Sequence, residues 1–329
     1  MNAMNIKIKD KIELYEELYF ANDEPVPFVG GLYIYPAIVK DYYNFYNLIS
    51  CFTMDKNNAP DGIGLSMSEL GYVSYLIEED TSSSFQDRFF NLLSMVFHID
   101  NGLYCDNKDC EHKHQILTYK DIRKKVLQID LELNQKYTEE EKEKRQTERQ
   151  EKMFQLQLCP YCNHIMRDVF EMKEENKKAV LYVKGIPIKS KDYKDLRRIY
   201  CYQNILDYDD EYIDPELKKG LEEAARLRSG NVQQPTLERQ KTCIVASTGL
   251  NFAEVEQLTL RKFTLLLRVV DSKLTYLAYK IGETSGLVTF KSPFPHWIYQ
   301  NDKAKDHKFD NIMTIEQIES KIGNGNKIE

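Results

Sequence analysis

The sequence predicts a mainly α protein of the α+β kind, with helical N- and C-terminal domains flanking a small cysteine-bearing module. Three observations carry this. Apolar residues recur at spacings of three and four through much of both ends. Two close cysteine pairs, Cys105 with Cys110 and Cys159 with Cys162, lie in the middle of the chain. Between those pairs runs TEEEKEKRQTERQEKMFQLQL, whose centre is almost wholly charged and carries opposite charges at helical spacing.

Taken in order, residues 1–20 read as a short helix or arm. Pro25, Pro27, Gly30, Gly31 and Pro36 make residues 21–36 an ordered loop with one strand near Leu32–Tyr35. Residues 39–52 are helical in pattern, with Tyr42, Phe45, Tyr46 and Ile49 on one face. A helix is expected over 66–78, with Ser66 as N-cap and Glu69 completing a capping box, and another over 85–97. In the middle region, residues 114–119 and 179–183 read as strands, and 120–158 as a solvated helical insert. Residues 190–205 and 215–228 are amphipathic helices, the second entered at Pro215. A short helix spans 237–247. Asn251 and Glu254 then cap a helix striped by Phe252, Val255, Leu258, Phe263, Leu266 and Val270, and another helix covers 273–281. LVTFK reads as a short strand or extended stretch, and the polar tail after Tyr299 reads as mobile or dependent on a partner. The expected domains are 1–100, helical; 101–185, the cysteine module; 186–300, helical; and 301–329, the tail.

The chain has 329 residues, enough for two or three domains. A net charge of −7 and a pI near 5.6 argue against general nucleic-acid binding, which needs clustered Lys and Arg. The basic run KSKDYKDLRR is interrupted by Asp192 and Asp195. No apolar run is long enough to span a membrane, and the N-terminus carries no secretion signal, so a reducing cytoplasm is expected for its seven cysteines.

Cys105 and Cys110 are separated by four residues, and Cys159 and Cys162 by two. Each pair presents two thiolates from one turn, and two such turns make the closed tetrahedral sulfur cage that zinc prefers. The module is therefore expected to be zinc-ribbon-like, with structural Zn2+ on Cys105, Cys110, Cys159 and Cys162. His112, His114 and His164 are close enough in sequence to replace one sulfur or to support the ligands. A competing reading takes Cys-Pro-Tyr-Cys as a thiol-redox motif like that of glutaredoxins. That family places it at a helix N-terminus after a first strand, whereas here it follows a long charged helix.

Cys51, Cys201 and Cys243 fall on apolar faces and read as core residues. No nucleophile–base set stands out, so no catalytic residue is assigned and the protein is expected not to be an enzyme. His98, at a helix end, reads as a structural or capping residue, not a catalyst. GGLYIY lacks the Lys-Ser/Thr of a phosphate loop. YDDEYIDPE lacks the spacing of a calcium loop. His296 and Trp297, in SPFPHWIY, suit either a buried corner or a partner contact.

Several stretches together resemble one family. VPFVGGLYIYPAIVKDYYNFYNLISCFTMDKN is similar to the opening of tail proteins from bacteriophages of low-GC Gram-positive hosts. DYKDLRRIYCYQNILDYDDEYIDPEL, NFAEVEQLTLRKFTLLL and SGLVTFKSPFPHWIY are similar to their second half. The chain thus resembles the baseplate-hub and tail-assembly family of contractile-tailed phages over most of residues 25–300. A zinc-ribbon-like middle is common in that family, and the four paired cysteines match its cysteine positions. The charged insert at about 137–155 departs from the plainer members. The resemblance implies a non-enzymatic structural component of the virion, made in the host cytoplasm. Its implied partners are other tail and baseplate proteins: the tail tube, hub or tape-measure protein. A tail-assembly chaperone that leaves before maturation is the alternative it implies.

Overall fold

The computed structural model describes residues 8–54, 56, 63–113, 115–133, 139–206, 208, 223, 235–285 and 295–299. Among the described residues it is mainly helical, with three small antiparallel sheets. The chain divides into two compact units. The first comprises Met1–Asp210 with Glu256–Arg261, and the second Glu211–Val255 with Lys262–Glu329.

The first unit opens with helix α1 (Ile8–Tyr15), which widens into a π-helical turn over Glu16–Phe20. Strands β1 (Val26–Pro27) and β2 (Tyr33–Ile34) form a minimal hairpin. Gly30 sits in its bend at φ 64°, and a Cβ there would come within 2.4 Å of Ile186 Cγ2, so the position needs glycine on two counts. Helices α2 (Tyr42–Leu48) and α3 (Ser50–Thr53) follow. Their buried face is Phe45, Leu48, Ile49 and Phe52, rotated from the expected stripe; Tyr46 is half exposed. After α4 (Ile63–Ser66) comes α5 (Glu69–Glu79). Its N-cap is Ser68, not Ser66: Ser68 Oγ accepts from Gly71 N at 3.0 Å, while Ser66 ends the preceding helix. Helix α6 (Ser84–Phe97) buries Phe89, Phe90, Leu92, Leu93, Val96 and Phe97.

Helix α9 (Ser190–Asn204) belongs to this unit. Its Tyr193 and Tyr200 are fully buried against aromatic residues of α2, α3 and α6. Phe52 is the hub: its ring meets Tyr200 at 5.8 Å and Tyr193 at 6.0 Å, both edge-on, and Phe89 at 6.4 Å. Three strands, β6 (Phe170–Glu175), β7 (Lys178–Val183) and β8 (Ile186–Ile188), form a meander in which α5 packs against β7. Its inward residues include Phe170, Leu181, Val183 and Ile188. Of these strands the sequence pointed to β7 alone.

The expected long helix beginning at Asn251 is interrupted. Asn251 and Glu254 do form the reciprocal cap, with Glu254 N to Asn251 Oδ1 at 3.0 Å and Asn251 N to Glu254 Oε2 at 2.8 Å. The helix then stops at Gln257 and a new one runs Leu260–Thr284. At the break the backbone pairs elsewhere: Val39 N donates to Leu258 O and Leu260 N to Ala37 O, both at 2.9 Å. Thr259 adds a side-chain bond to Asp23 at 2.8 Å. Tertiary hydrogen bonds here replace intrahelical ones, which propensity alone does not foresee.

In the second unit, helix Leu237–Thr248 starts on Thr236, whose hydroxyl accepts from Arg239 N, and ends at Gly249. Its Ile244 is buried with Val255, Phe263 and Val270 of the same unit. Cys243 lies on the exposed side, contrary to its core assignment, whereas Cys51 and Cys201 are buried. The expected helix over 215–228, the LVTFK stretch and the tail after Tyr299 lie outside the described residues.

Candidate metal centre

The cysteine module lies within the first unit. Strand β3 (Gly102–Tyr104) pairs on one side with β4 (Ile116–Thr118) and on the other with β5 (Arg167–Asp168). Cys105 follows β3 directly. The chain then turns back to β4, with Cys110 N donating to Asn107 O at 3.1 Å and Asp109 N to Asn107 Oδ1 at 3.0 Å. Gly102 allows β3 to lie close to β4. A Cβ there would sit 2.2 Å from Leu117 O, a backbone atom that cannot swing away.

Beyond β4 come two insert helices, α7 (Tyr119–Leu133) and α8 (Glu139–Gln155). Arg149 of α8 pairs with Asp130 of α7 at 2.7 Å. No described side chain of either helix is buried. The chain leaves α8 into a second tight turn. Leu158 bridges Ile165, Cys159 N donates to His164 O at 2.8 Å, and Asn163 turns the chain at φ 52°. This hairpin holds Cys159 and Cys162, then runs into β5. Cys-Pro-Tyr-Cys therefore sits at a hairpin tip leading to a strand, not at a helix N-terminus.

The two turns bring all four sulfurs together, each within 4.8 Å of every other. Cys105 Sγ lies 3.5 Å from Cys162 Sγ, and Cys110 Sγ 3.8 Å from Cys159 Sγ. A disulfide needs about 2.05 Å, so these are separate thiols. Thiolates about 2.3 Å from a central zinc form a tetrahedron with edges of about 3.8 Å. The donors thus fit a four-coordinate ion, and the cluster can hold a metal. Cys105, Cys110 and Cys159 are buried with Met166, and Leu103 and Leu117 pack against them; Cys162 is partly exposed.

The chain matches no family model, no curated protein and no solved structure.

Backbone N–H groups point at the sulfurs. Cys105 accepts from Asn107, Cys110 from His112, and Cys159 from both Tyr161 and Cys162. These donors favour thiolates over thiols. At Cys105 burial prevails and pushes the thiol up to about 12. Burial likewise raises Cys110. At Cys159 burial raises the thiol, but the two backbone donors and the bonds from Cys162 and Cys110 outweigh it and bring it down to about 7.

The histidines support the turns. His164 Nε2 donates to Asp106 Oδ1 at 2.8 Å, and Arg167 Nε reaches Asp106 Oδ2 at 2.6 Å. Asp106 thereby ties the first turn to the second. His112 stacks on Tyr161 across the same gap, with ring centroids 3.6 Å apart. Among the described residues no histidine joins the sulfur cluster; His114 lies outside them. The sequence reading missed Asp106, Arg167 and Gly102. Asp106 directly follows a candidate ligand and Arg167 lies three residues past His164, a proximity that marks both for attention.

His98 ends α6 in a left-handed conformation and stacks on Tyr35 at 4.1 Å, in keeping with a capping role. Burial lowers its pKa. Trp297 and His296 are neither buried nor fully exposed, and His296 packs on Tyr276 at 4.8 Å. Among the described residues no helix is long and apolar enough to cross a membrane.

Proposed function

We propose that Cys105, Cys110, Cys159 and Cys162 hold a structural zinc ion in a zinc-ribbon-like module. The protein then acts as a non-enzymatic structural component of a bacteriophage tail baseplate or hub. The observation that carries the first half is the closure of four sulfurs on a tetrahedral volume. All-sulfur tetrahedral sites select zinc or iron, and a site filled by four protein ligands offers no position for water or substrate. Bound zinc would contribute folding energy and no reaction.

What this chain's residues do is mechanical. Cys110 lies just before the strand that feeds α7, and Cys159 just after α8. Joining them at one ion clamps both ends of the helical insert at its root. Asp106 sets the relation of the two turns through His164 and Arg167. A charged arm with a fixed root suits docking to neighbouring tail proteins.

What supports the phage-tail half is the resemblance of residues 25–300 to the tail-assembly family. Its test is quantitative mass spectrometry of purified mature particles of the encoding phage. A fixed copy number in line with the baseplate proteins is expected. Absence from particles with abundance in the infected lysate would overturn the virion assignment in favour of an assembly chaperone.

A further inference from the structure

A cavity of about 420 Å3 lies where the root of α7 meets the body of the first unit. That volume is within the range of small-molecule sites, about 300–1,000 Å3. Phe90 of α6 and Phe170 of β6, both buried, give it an apolar floor, their rings 6.0 Å apart. Its walls carry three carboxylates, Asp87 of α6, Asp168 of β5 and Glu171 of β6, against one guanidinium, that of Arg123 on α7. No described residue lining it is a cysteine, so the inference stands on this cavity and not on the metal centre.

The walls are rich in acceptors. Asn101 lines the same cavity, and its Oδ1 is buried with no hydrogen-bond partner among the described residues. A buried acceptor in that state costs stability until something donates to it. Tyr119 is already spent, since it donates to Asp168. Burial, with Asp168 beside it, raises the phenol's pKa and keeps it a donor. Arg123 approaches Asp87 only to 3.7 Å and is 75% exposed, so it stands at the mouth. Glu171 pairs with Lys173 at 2.7 Å. A carboxylate has about four acceptor positions, so each of the three keeps capacity beyond its own partner.

Excess negative charge and excess acceptors over an aromatic floor call for a cation with several donors. A metal ion does not suit: among the described residues the cysteines alone converge tightly enough to share one, so these carboxylates are spread for something larger. The acceptors come from α6, β5, β6 and the turn at Asn101, and thus from different directions. A planar guanidinium, with five donors in a fork and a face that packs on aromatic rings, meets that arrangement better than a compact ammonium. We propose that this cavity binds a guanidinium carried on an apolar stem. An occupant touching α7 on one side and α6 and β6 on the other braces the charged insert at its root.

The test is calorimetric titration of the full chain with butylguanidinium and with butylurea, a neutral analogue of similar shape. Butylguanidinium is expected to bind with a Kd of about 1 mM or tighter, as suits so small a ligand, and butylurea at least about tenfold more weakly. Asp168→Asn combined with Glu171→Gln alters only partly exposed side chains and should weaken butylguanidinium about tenfold or more at an unchanged melting temperature. Two further probes separate the sources of the group. Acetyl-arginine-amide binding more tightly than agmatine would support the site as one for an arginine of another protein, and the reverse as one for a free amine. No heat from butylguanidinium up to about 10 mM would overturn the proposal. So would equal binding of butylurea to the unmodified chain, or unchanged affinity in the folded double variant.

Discussion

Replacing Asp106 by Ala removes a carboxylate that bridges the two cysteine turns. Its contacts are a 2.8 Å bond from His164 and a 2.6 Å ion pair with Arg167. The carboxylate is three-quarters covered but Arg167 is mostly exposed, so solvent screens the pair, which is worth about 0.5–1 kcal/mol. The histidine bond adds about 1 kcal/mol. Together these make about 2 kcal/mol, or roughly thirtyfold in an equilibrium constant. That loss falls on metal affinity because the two turns must meet to enclose the ion. It also lies within the range of about 10–100-fold found when groups supporting metal ligands are removed. The assay is zinc competition against a chromophoric chelator, comparing Asp106→Ala with the unmodified chain. Asp106→Asn, which keeps an acceptor for His164, should lose less. Removing a ligand by Cys159→Ser should lose far more. Unchanged affinity in Asp106→Ala would refute the bridging role, as would a loss equal to that of Cys159→Ser.

Other expectations follow from the packing around the site. Gly102→Ala drives a Cβ into Leu117 O and should cost about 1–3 kcal/mol as β3 and β4 part, read as a lower melting temperature together with weaker zinc binding. Phe52→Ala empties the centre of the aromatic cluster and should cost about 3–5 kcal/mol in urea unfolding; a loss below about 1 kcal/mol would contradict the hub role. Asp80 accepts from Ser82, Ser84 and the Phe85 N–H at the start of α6, which hold its carboxyl down at about 2 against an ordinary 3.8. A depressed carboxyl stabilises above its unfolded value and loses that contribution as pH falls through the folded one. Protection of the first α6 amides should therefore decline between pH 4 and 2, and Asp80→Asn should flatten the profile.

The four sulfur donors were legible because ligand spacing is a local property: each pair needs one tight turn. Helices α6, α8 and α9 were legible for the same reason, through their periodicity. What escaped depends on distant partners. Strands β3 and β5 are three and two residues long and exist by pairing with each other, so neither carries a pattern of its own. The stop at Leu258–Thr259 is imposed by Ala37 and Val39, more than 200 residues away in sequence. The N-cap shifted from Ser66 to Ser68 because both fit a capping pattern and a short preceding helix takes the first. The buried face of α2 and α3 was misjudged because tyrosines count as apolar in a periodicity. Here Tyr43 and Tyr46 lie outward while Phe45 and Phe52 take the core.

The most direct measurement is elemental analysis of the purified full chain, coupled to cysteine alkylation before and after chelation. The account predicts one zinc ion per chain. It also predicts that Cys105, Cys110, Cys159 and Cys162 resist mild alkylation until a chelator removes the ion, while exposed Cys243 reacts at once. Metal-free folded protein whose four clustered thiols alkylate without chelator would contradict it.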